Sequence, residues 1–272
     1  MPSSSGRTSS PTKLISSTLS DLCPQYSPDG KRIVFGSTRS GSNEVWVCDS
    51  DGANLNKLTS FGGPDVGTPR WSPDGRQIAF DSLNEGQRDI YVINAGGGIP
   101  RRLTVESSGD VRPSWSRNGR WIYFGSNRSG DWQVWKAPAE GGQAVQVTKQ
   151  GGREAFESPD GKFVYYGKAN GLTSLWRTPV AGGEEVQVLD QIFQGYWAVL
   201  ERGIYFVNPK ATPHPTIAFF SFATAQTTQI VVLKKELALL SPGFGVSPDG
   251  RWILLSQIDQ RESDIMLMEN FR

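Results

Sequence analysis

The chain has 272 residues, with 28 Lys and Arg against 27 Asp and Glu, and a formal net charge of +1. So balanced a charge leaves no basic excess to neutralise a phosphate backbone, and nucleic acid is not an expected partner. No apolar run approaches the roughly 18 residues of a membrane-crossing helix, so no membrane insertion is expected; two cysteines without metal or redox spacing and a single histidine argue against most metal and acid–base chemistry.

Residues 1–12 are rich in Ser, Thr and Pro and lack the apolar centre of a signal peptide. They read as a disordered linker or terminal boundary. The compartment is left open, periplasmic or cytoplasmic according to a parent protein. Next comes Lys13-Leu14-Ile15-Ser16, which matches Lys57-Leu58-Thr59-Ser60 further on and reads as a fourth strand that arrives before any first.

From there a unit recurs. Its copies are Tyr26-Ser27-Pro28-Asp29-Gly30, Trp71-Ser72-Pro73-Asp74-Gly75, Trp115-Ser116-Arg117-Asn118-Gly119, Glu157-Ser158-Pro159-Asp160-Gly161 and Val246-Ser247-Pro248-Asp249-Gly250. The serines are 45, 44, 42 and then 89 residues apart, and the last gap holds a degenerate copy at Leu200-Glu201-Arg202-Gly203. Six units with a period in the forties signal a β-propeller. In each turn Pro presets φ and Gly accepts the positive φ that leads back into a strand. The runs that follow, such as Ile33-Val34-Phe35 and Ile122-Tyr123-Phe124, are apolar throughout rather than alternating, as in strands covered on both faces. A third strand (Val45-Trp46-Val47 and its equivalents), a glycine turn and a fourth strand (Lys57-Leu58-Thr59) complete the blade. Residues 13–272 are therefore expected to be one all-β domain, a six-bladed propeller of four antiparallel strands per blade. Its last blade, ending at Asp264–Met268, would be closed by residues 13–16. Blade five is the irregular one, with Gln194 to Val199 as its inner strand and His214 alone in a loop between prolines.

Several motifs dissolve on inspection. Asp49-Ser50-Asp51-Gly52 resembles the start of a calcium loop, but Ser60 stands where the bidentate Glu is needed. Gly36 to Gly41 and Gly125 to Gly130 lack the Gly-Lys-Ser/Thr end of a phosphate loop. No Gly-x-Ser-x-Gly elbow occurs. No catalytic residue, metal ligand or cofactor is assigned. Cys23 and Cys48 read as structural thiols, and the tryptophans, at fixed repeat positions, as packing between blades.

One pattern exceeds the scaffold. The segments entering the inner strands differ from blade to blade. They put Asp21, Asp65, Asp110, Arg112, Arg153, Glu154, Tyr196 and Phe244 around one mouth of the central channel, with Arg39, Glu85, Arg88, Arg128, Asp131 and Asn170 farther out. The aspartates either cap their turns or belong to a polar ring that faces a ligand. Arg112 is suited to clamp a carboxylate and Tyr196 to offer a flat wall beside it. The opposite face, carrying the repeated turns, reads as a folding device.

The form Trp-Ser-Pro-Asp-Gly-x-x-Ile-x-Phe, followed by Ser-x-Arg-Ser-Gly and Leu-Thr, resembles the TolB-like propeller repeat over about residues 13–268. The ending from Ser247 to Arg272 is similar to the C-terminal propellers of bacterial one-component winged-helix regulators and of some membrane-tethered Ser/Thr kinases. That resemblance implies the sensor or interaction part of a longer regulatory chain. The leading expectation is a monomeric, non-catalytic module that binds a protein, a peptide or a small polar ligand. The alternatives are the gating or catalytic propeller of a prolyl-oligopeptidase-like hydrolase, and a structural or oligomerisation scaffold.

Overall fold

A computed structural model describes residues 11–15, 17–239 and 241–258. Blade one is β1 (Asp21–Tyr26), β2 (Arg32–Ser37), β3 (Glu44–Asp49) and β4 (Asn56–Lys57). Blade two is β5 (Val66–Trp71), β6 (Gln77–Ser82), β7 (Asp89–Asn94) and β8 (Arg101–Arg102). Blade three is β9 (Asp110–Trp115), β10 (Trp121–Ser129), β11 (Asp131–Pro138) and β12 (Val145–Gln146). Blade four is β13 (Glu154–Glu157), β14 (Phe163–Gly167), β15 (Leu172–Pro179) and β16 (Val186–Phe193). Blade five is β17 (Trp197–Leu200), β18 (Gly203–Asn208), β19 (Thr216–Ser221) and β20 (Thr227–Val232). In each, neighbours in sequence are neighbours in an antiparallel sheet. A small sixth sheet pairs β21 (Phe244–Val246) with β22 (Ile253–Leu255). First strands touch their successors around a central axis, from β1 to β5, β9, β13, β17 and β21, and β21 returns to β1.

Among the described residues the expected six four-stranded blades with strand closure are not found. Five sheets have four strands and the sixth has two. The third strand expected at 264–268 lies outside the described residues. Residues 13–15 make no strand. Leu14 is 40% exposed, and its carbonyl presses on the β3–β4 turn, 2.8 Å from where a Cβ on Gly52 would stand. Ile15 instead packs beside Ile33, Phe35 and Leu254, in the seam between blade one and the sixth sheet.

The turns explain why the repeat is so constant. Ser27 Oγ donates to Asp29 Oδ1 at 2.6 Å and accepts from the Arg32 N–H at 2.9 Å, while Asp29 Oδ1 accepts from Lys31 N–H at 3.1 Å. The same bonds recur at Ser72 with Asp74, Ser158 with Asp160 and Ser247 with Asp249. In blade three Asn118 takes the aspartate's place with the same geometry. The Leu-Thr motif has an equally local reason. Thr59, Thr104 and Thr148 hydroxyls accept from the N–H of Val45, Ile90 and Val134 and donate to Glu44, Asp89 and Gln133. Buried N–H and carboxyl groups are thereby satisfied where β3, β7 and β11 begin. Between the blades the core is continuous. Ile33, Ile78, Phe80, Ile122 and Phe124 are fully buried, each strand covered on both faces by its neighbours.

The Ser hydroxyl, then the backbone N–H, holds the carboxyls of Asp29, Asp74, Asp160 and Asp249 below the usual carboxylate range. A folded value below the unfolded one gives stability that is present above an unfolded pKa of about 3.9 and lost as the pH falls through the folded value. Replacing all four by Asn, as Asn118 already stands, is expected to flatten the decline of the urea midpoint below about pH 4. A parallel acid limb in the variant would refute the role of these turns.

Candidate binding site at the channel mouth

The inner strands of blades one to three share a distortion. Cys23, Thr68 and Arg112 have φ of 58°, 45° and 55°, each directly before a proline. Register slips at the same places, between Leu22 and Gln25, Gly67 and Arg70, and across Tyr123 and Gly125 from β9. Each is a β-bulge. Pro has no N–H to lose from the ladder, but a left-handed residue with a side chain costs on the order of 1–3 kcal/mol. The distortion re-aims the strand toward the axis.

Around the axis the bulges gather a charged cluster. The Glu154 carboxylate, only 2% exposed, lies 3.7 Å from Arg70 Nη2 and 3.6 Å from Arg112 Nη1. Its Oε2 accepts from Gly195 N–H at 2.8 Å and Trp197 Nε1–H at 3.2 Å. Asp81 Oδ1 accepts from the bulged Arg112 N–H at 3.2 Å, and its Oδ2 from Arg88 Nη1 at 2.7 Å. Arg88 also pairs with Asp65. Gly67 makes room for Asp81, since a Cβ there would stand 2.9 Å from Oδ2.

Arg153 completes the set. Its guanidinium lies 4.1 Å from the Trp132 ring centroid and makes no ion pair among the described residues. Burial first, then repulsion from Arg112, makes its charge costlier and pushes its pKa down. Several buried atoms here meet no hydrogen-bond partner among the described residues: Arg112 Nη1, Arg153 Nε, Glu154 Oε1 and both amide atoms of Gln194. Burial also pushes the nearby Cys23 thiol up to about 11, partly offset by Arg70. Four guanidiniums (Arg70, Arg88, Arg112, Arg153) thus stand with three carboxylates (Asp65, Asp81, Glu154). Such an arrangement can receive an anion on Arg153 and both donors and acceptors on Gln194 and Glu154.

Asp65, Arg112, Arg153 and Glu154 are brought together. Asp21 and Asp110 serve a different unit: Arg39 pairs with Asp21 at 2.7 Å and Arg128 with Asp110 at 2.8 Å. Each guanidinium lies over two rings, Phe35 and Trp46 or Phe124 and Trp135, and donates to Ser37 or Ser126. This repeated Ser-x-Arg unit fastens the loop after the second strand onto the start of the first. Tyr196 is no wall at the mouth but a fully buried core residue with Val207, Ile217 and Phe244. Gly243 admits its ring, as a Cβ there would stand 2.6 Å from Tyr196 Cζ. Phe244 shares that core. Glu85 and Asn170 are exposed loop residues, and Asp131 is exposed at the start of β11.

Arg70 and Asp81 were not singled out in the sequence, yet both carried a signal. Asp81 stands where its repeat equivalents are Gly36 and Gly125, and Arg70 where they are Gln25 and Ser114. Each breaks the repeat at a buried place.

With this geometry in hand, the comparisons decide the family. A profile of the TolB beta propeller domain matches residues 9–195. The chain belongs to the TolB β-propeller family. A stretch of 32 residues is 56% identical to the TolB homologue of Chlorobium chlorochromatii, covering 12% of this chain and 7% of that protein. Among solved structures, this TolB-like propeller is similar to the putative TolB of Agrobacterium tumefaciens, at 19% identity and a TM-score of 0.68 over 90% of this chain and 92% of that one. It is also similar to TolB of Acinetobacter baumannii, at 19% identity and 0.62 over 88% and 63%. The fold extends to puromycin hydrolase, at 17% identity and 0.59 over 89% and 42%. At such identities these structures show the shared fold alone.

Removing Glu154 would leave Arg70 and Arg112 facing each other and strand the Gly195 N–H. Glu154→Ala is expected to lower unfolding stability by about 3–5 kcal/mol, with a smaller loss in Glu154→Gln, which keeps an acceptor for the Gly195 and Trp197 donors. Denaturant titration checks this, and equal stability of all three proteins would contradict it.

Proposed function

We propose that this TolB-like propeller is a non-catalytic binding module whose channel mouth takes a polar peptide segment of a partner protein through a carboxylate. The reading rests on Arg153. It is a half-buried guanidinium that meets no carboxylate among the described residues, next to Arg112 and to buried polar atoms that have no hydrogen-bond partner among them. A bound carboxylate would relieve the Arg112–Arg153 repulsion and gain charge-assisted hydrogen bonds. Gln194 and Glu154 Oε1 would meet the amides of the same segment. The blade-to-blade differences support this use, because an asymmetric ligand needs different groups at equivalent places. Following the resemblance of its ending, we place the module as the sensor or interaction part of a larger bacterial regulatory protein, with residues 13–272 as one domain and the domain itself monomeric.

The test is an array of random peptides with either a free or an amidated C-terminus, probed with the purified protein. Free-carboxylate and Asp- or Glu-bearing peptides are expected to bind. Arg153→Ala should weaken them about tenfold, the scale of one charge-assisted hydrogen bond. Asp29→Asn, on the opposite face, should leave them unchanged. Binding indifferent to carboxylates, or lost only in Asp29→Asn, would reject the assignment.

A further inference from the structure

The opposite face carries a second feature, unrelated to the channel. There the prolines of three of the four Ser-Pro-Asp-Gly turns lie against the turn glycine of the next blade. A Cβ on Gly75 would stand 3.7 Å from Pro28 Cδ, one on Gly119 3.5 Å from Pro73 Cγ, and one on Gly30 3.7 Å from Pro248 Cδ. From blade three to four Arg117 replaces the proline, and its Nε–H donates to the Ser158 carbonyl at 3.4 Å. At the junction of blades four and five the chain of contacts breaks. Blade five has no Ser-Pro-Asp: Leu200 pairs directly with Gly203. Gly203 is turned into its own blade, where a Cβ would strike the Phe220 carbonyl at 2.0 Å. Pro159 is therefore offered no glycine, and a cavity of about 620 Å³ opens between the two blades. That volume falls within the roughly 300–1,000 Å³ of small-molecule sites.

Its walls have a definite chemistry. Phe163, Tyr165, Phe220 and Phe222 line it, together with Glu201 and with Asp160, whose carboxylate is held by Ser158 and Lys162. Tyr165 stacks on Phe222 with centroids 5.7 Å apart, and Phe220 meets Phe222 edge-on at 6.4 Å. Arg177 lines it too, half-buried, with its guanidinium 4.5 Å from the Phe163 centroid. No carboxylate or hydrogen-bond acceptor among the described residues pairs with that guanidinium. A cation stacked on a ring with its N–H donors unused matches a ligand that brings its own anion. The remaining aromatic surface matches a flat apolar body.

We infer that the cleft between blades four and five is a binding site for a small aromatic carboxylate, its acid group on Arg177 and its ring among Phe163, Phe220 and Phe222. The pairing of one guanidinium with an aromatic floor selects against two nearby classes. An aromatic amine would leave the Arg177 donors unused, and an aliphatic acid would forgo the ring contacts.

The experiment is calorimetric and ligand-observed NMR titration of the whole chain with indole-3-acetate, tryptamine and acetate as probes. Indole-3-acetate is expected to bind saturably, whereas the other two are not. Arg177→Met, which keeps the apolar stem, should weaken indole-3-acetate about tenfold or more, as for a lost charge-assisted bond. Phe222→Ala should weaken it as well. Arg120→Ala, on the same face at blade three, should not, and melting curves would verify that each variant is folded. Absence of saturable binding at millimolar indole-3-acetate overturns the inference. So does equal binding of tryptamine, or affinity untouched by Arg177→Met in a folded protein.

Discussion

Every blade of this propeller depends on being covered from both sides. Each second strand carries an apolar run that is buried on both faces, so a blade alone would expose one whole face to water. Stacking around the axis removes that exposure and fixes everything else. It brings the first strands together at the centre, confines polar residues to the two faces and the rim, and forces the turns to meet edge to edge. The constant parts of the repeat serve this stacking. Ser-Pro-Asp-Gly turns close on themselves through a hydroxyl–carboxylate bond, Leu-Thr satisfies the start of the third strand, and Ser-x-Arg with Asp clamps the loops of blades one and three.

Against so constant a background, departures are concentrated at two places. At the channel mouth Arg70, Asp81 and Arg153 replace smaller or uncharged equivalents, and the bulges at Cys23, Thr68 and Arg112 carry strained backbone into the same region. At the blade four–five junction the lost Ser-Pro-Asp opens a cleft where the other turns interlock. The cleft is cut into the apolar seam of blades four and five, where Leu175, Ile192, Trp197, Ile204 and Phe206 stay buried and keep the two blades together.

Much of the architecture was legible in the sequence because a turn with fixed chemistry recurs at a fixed spacing. Turn positions, strand order and the irregularity of blade five could be read from Gly30, Gly75, Gly119 and Gly161 and the apolar runs after them. The closure could not. Lys13-Leu14-Ile15 matches a fourth strand in side-chain pattern, yet β4, β8 and β12 are only two residues long, so the pattern carries little strand-forming demand of its own. Ile15 finds its apolar contacts without a ladder. The site was legible in part. Arg112, Arg153 and Glu154 were found because they vary between blades. Tyr196 varies too, but its ring is drawn inward by the gap that Gly243 leaves, a contact between residues 47 apart that no local pattern announces. Asp21 and Asp110 showed the opposite ambiguity: their recurrence reflects a structural ion pair with Arg39 and Arg128, visible only once the loop folds back.

The central claim is that the mouth's arginines hold capacity for an anion that the described residues do not fill. The most direct measurement is the side-chain N–H spectrum of the arginines during titration with a short peptide bearing a free C-terminus. The account predicts saturable shifts and slowed hydrogen exchange at Arg153 and Arg112, with Arg39 and Arg128 unmoved in their closed ion pairs. Uniform, unsaturable shifts across all four arginines would contradict it.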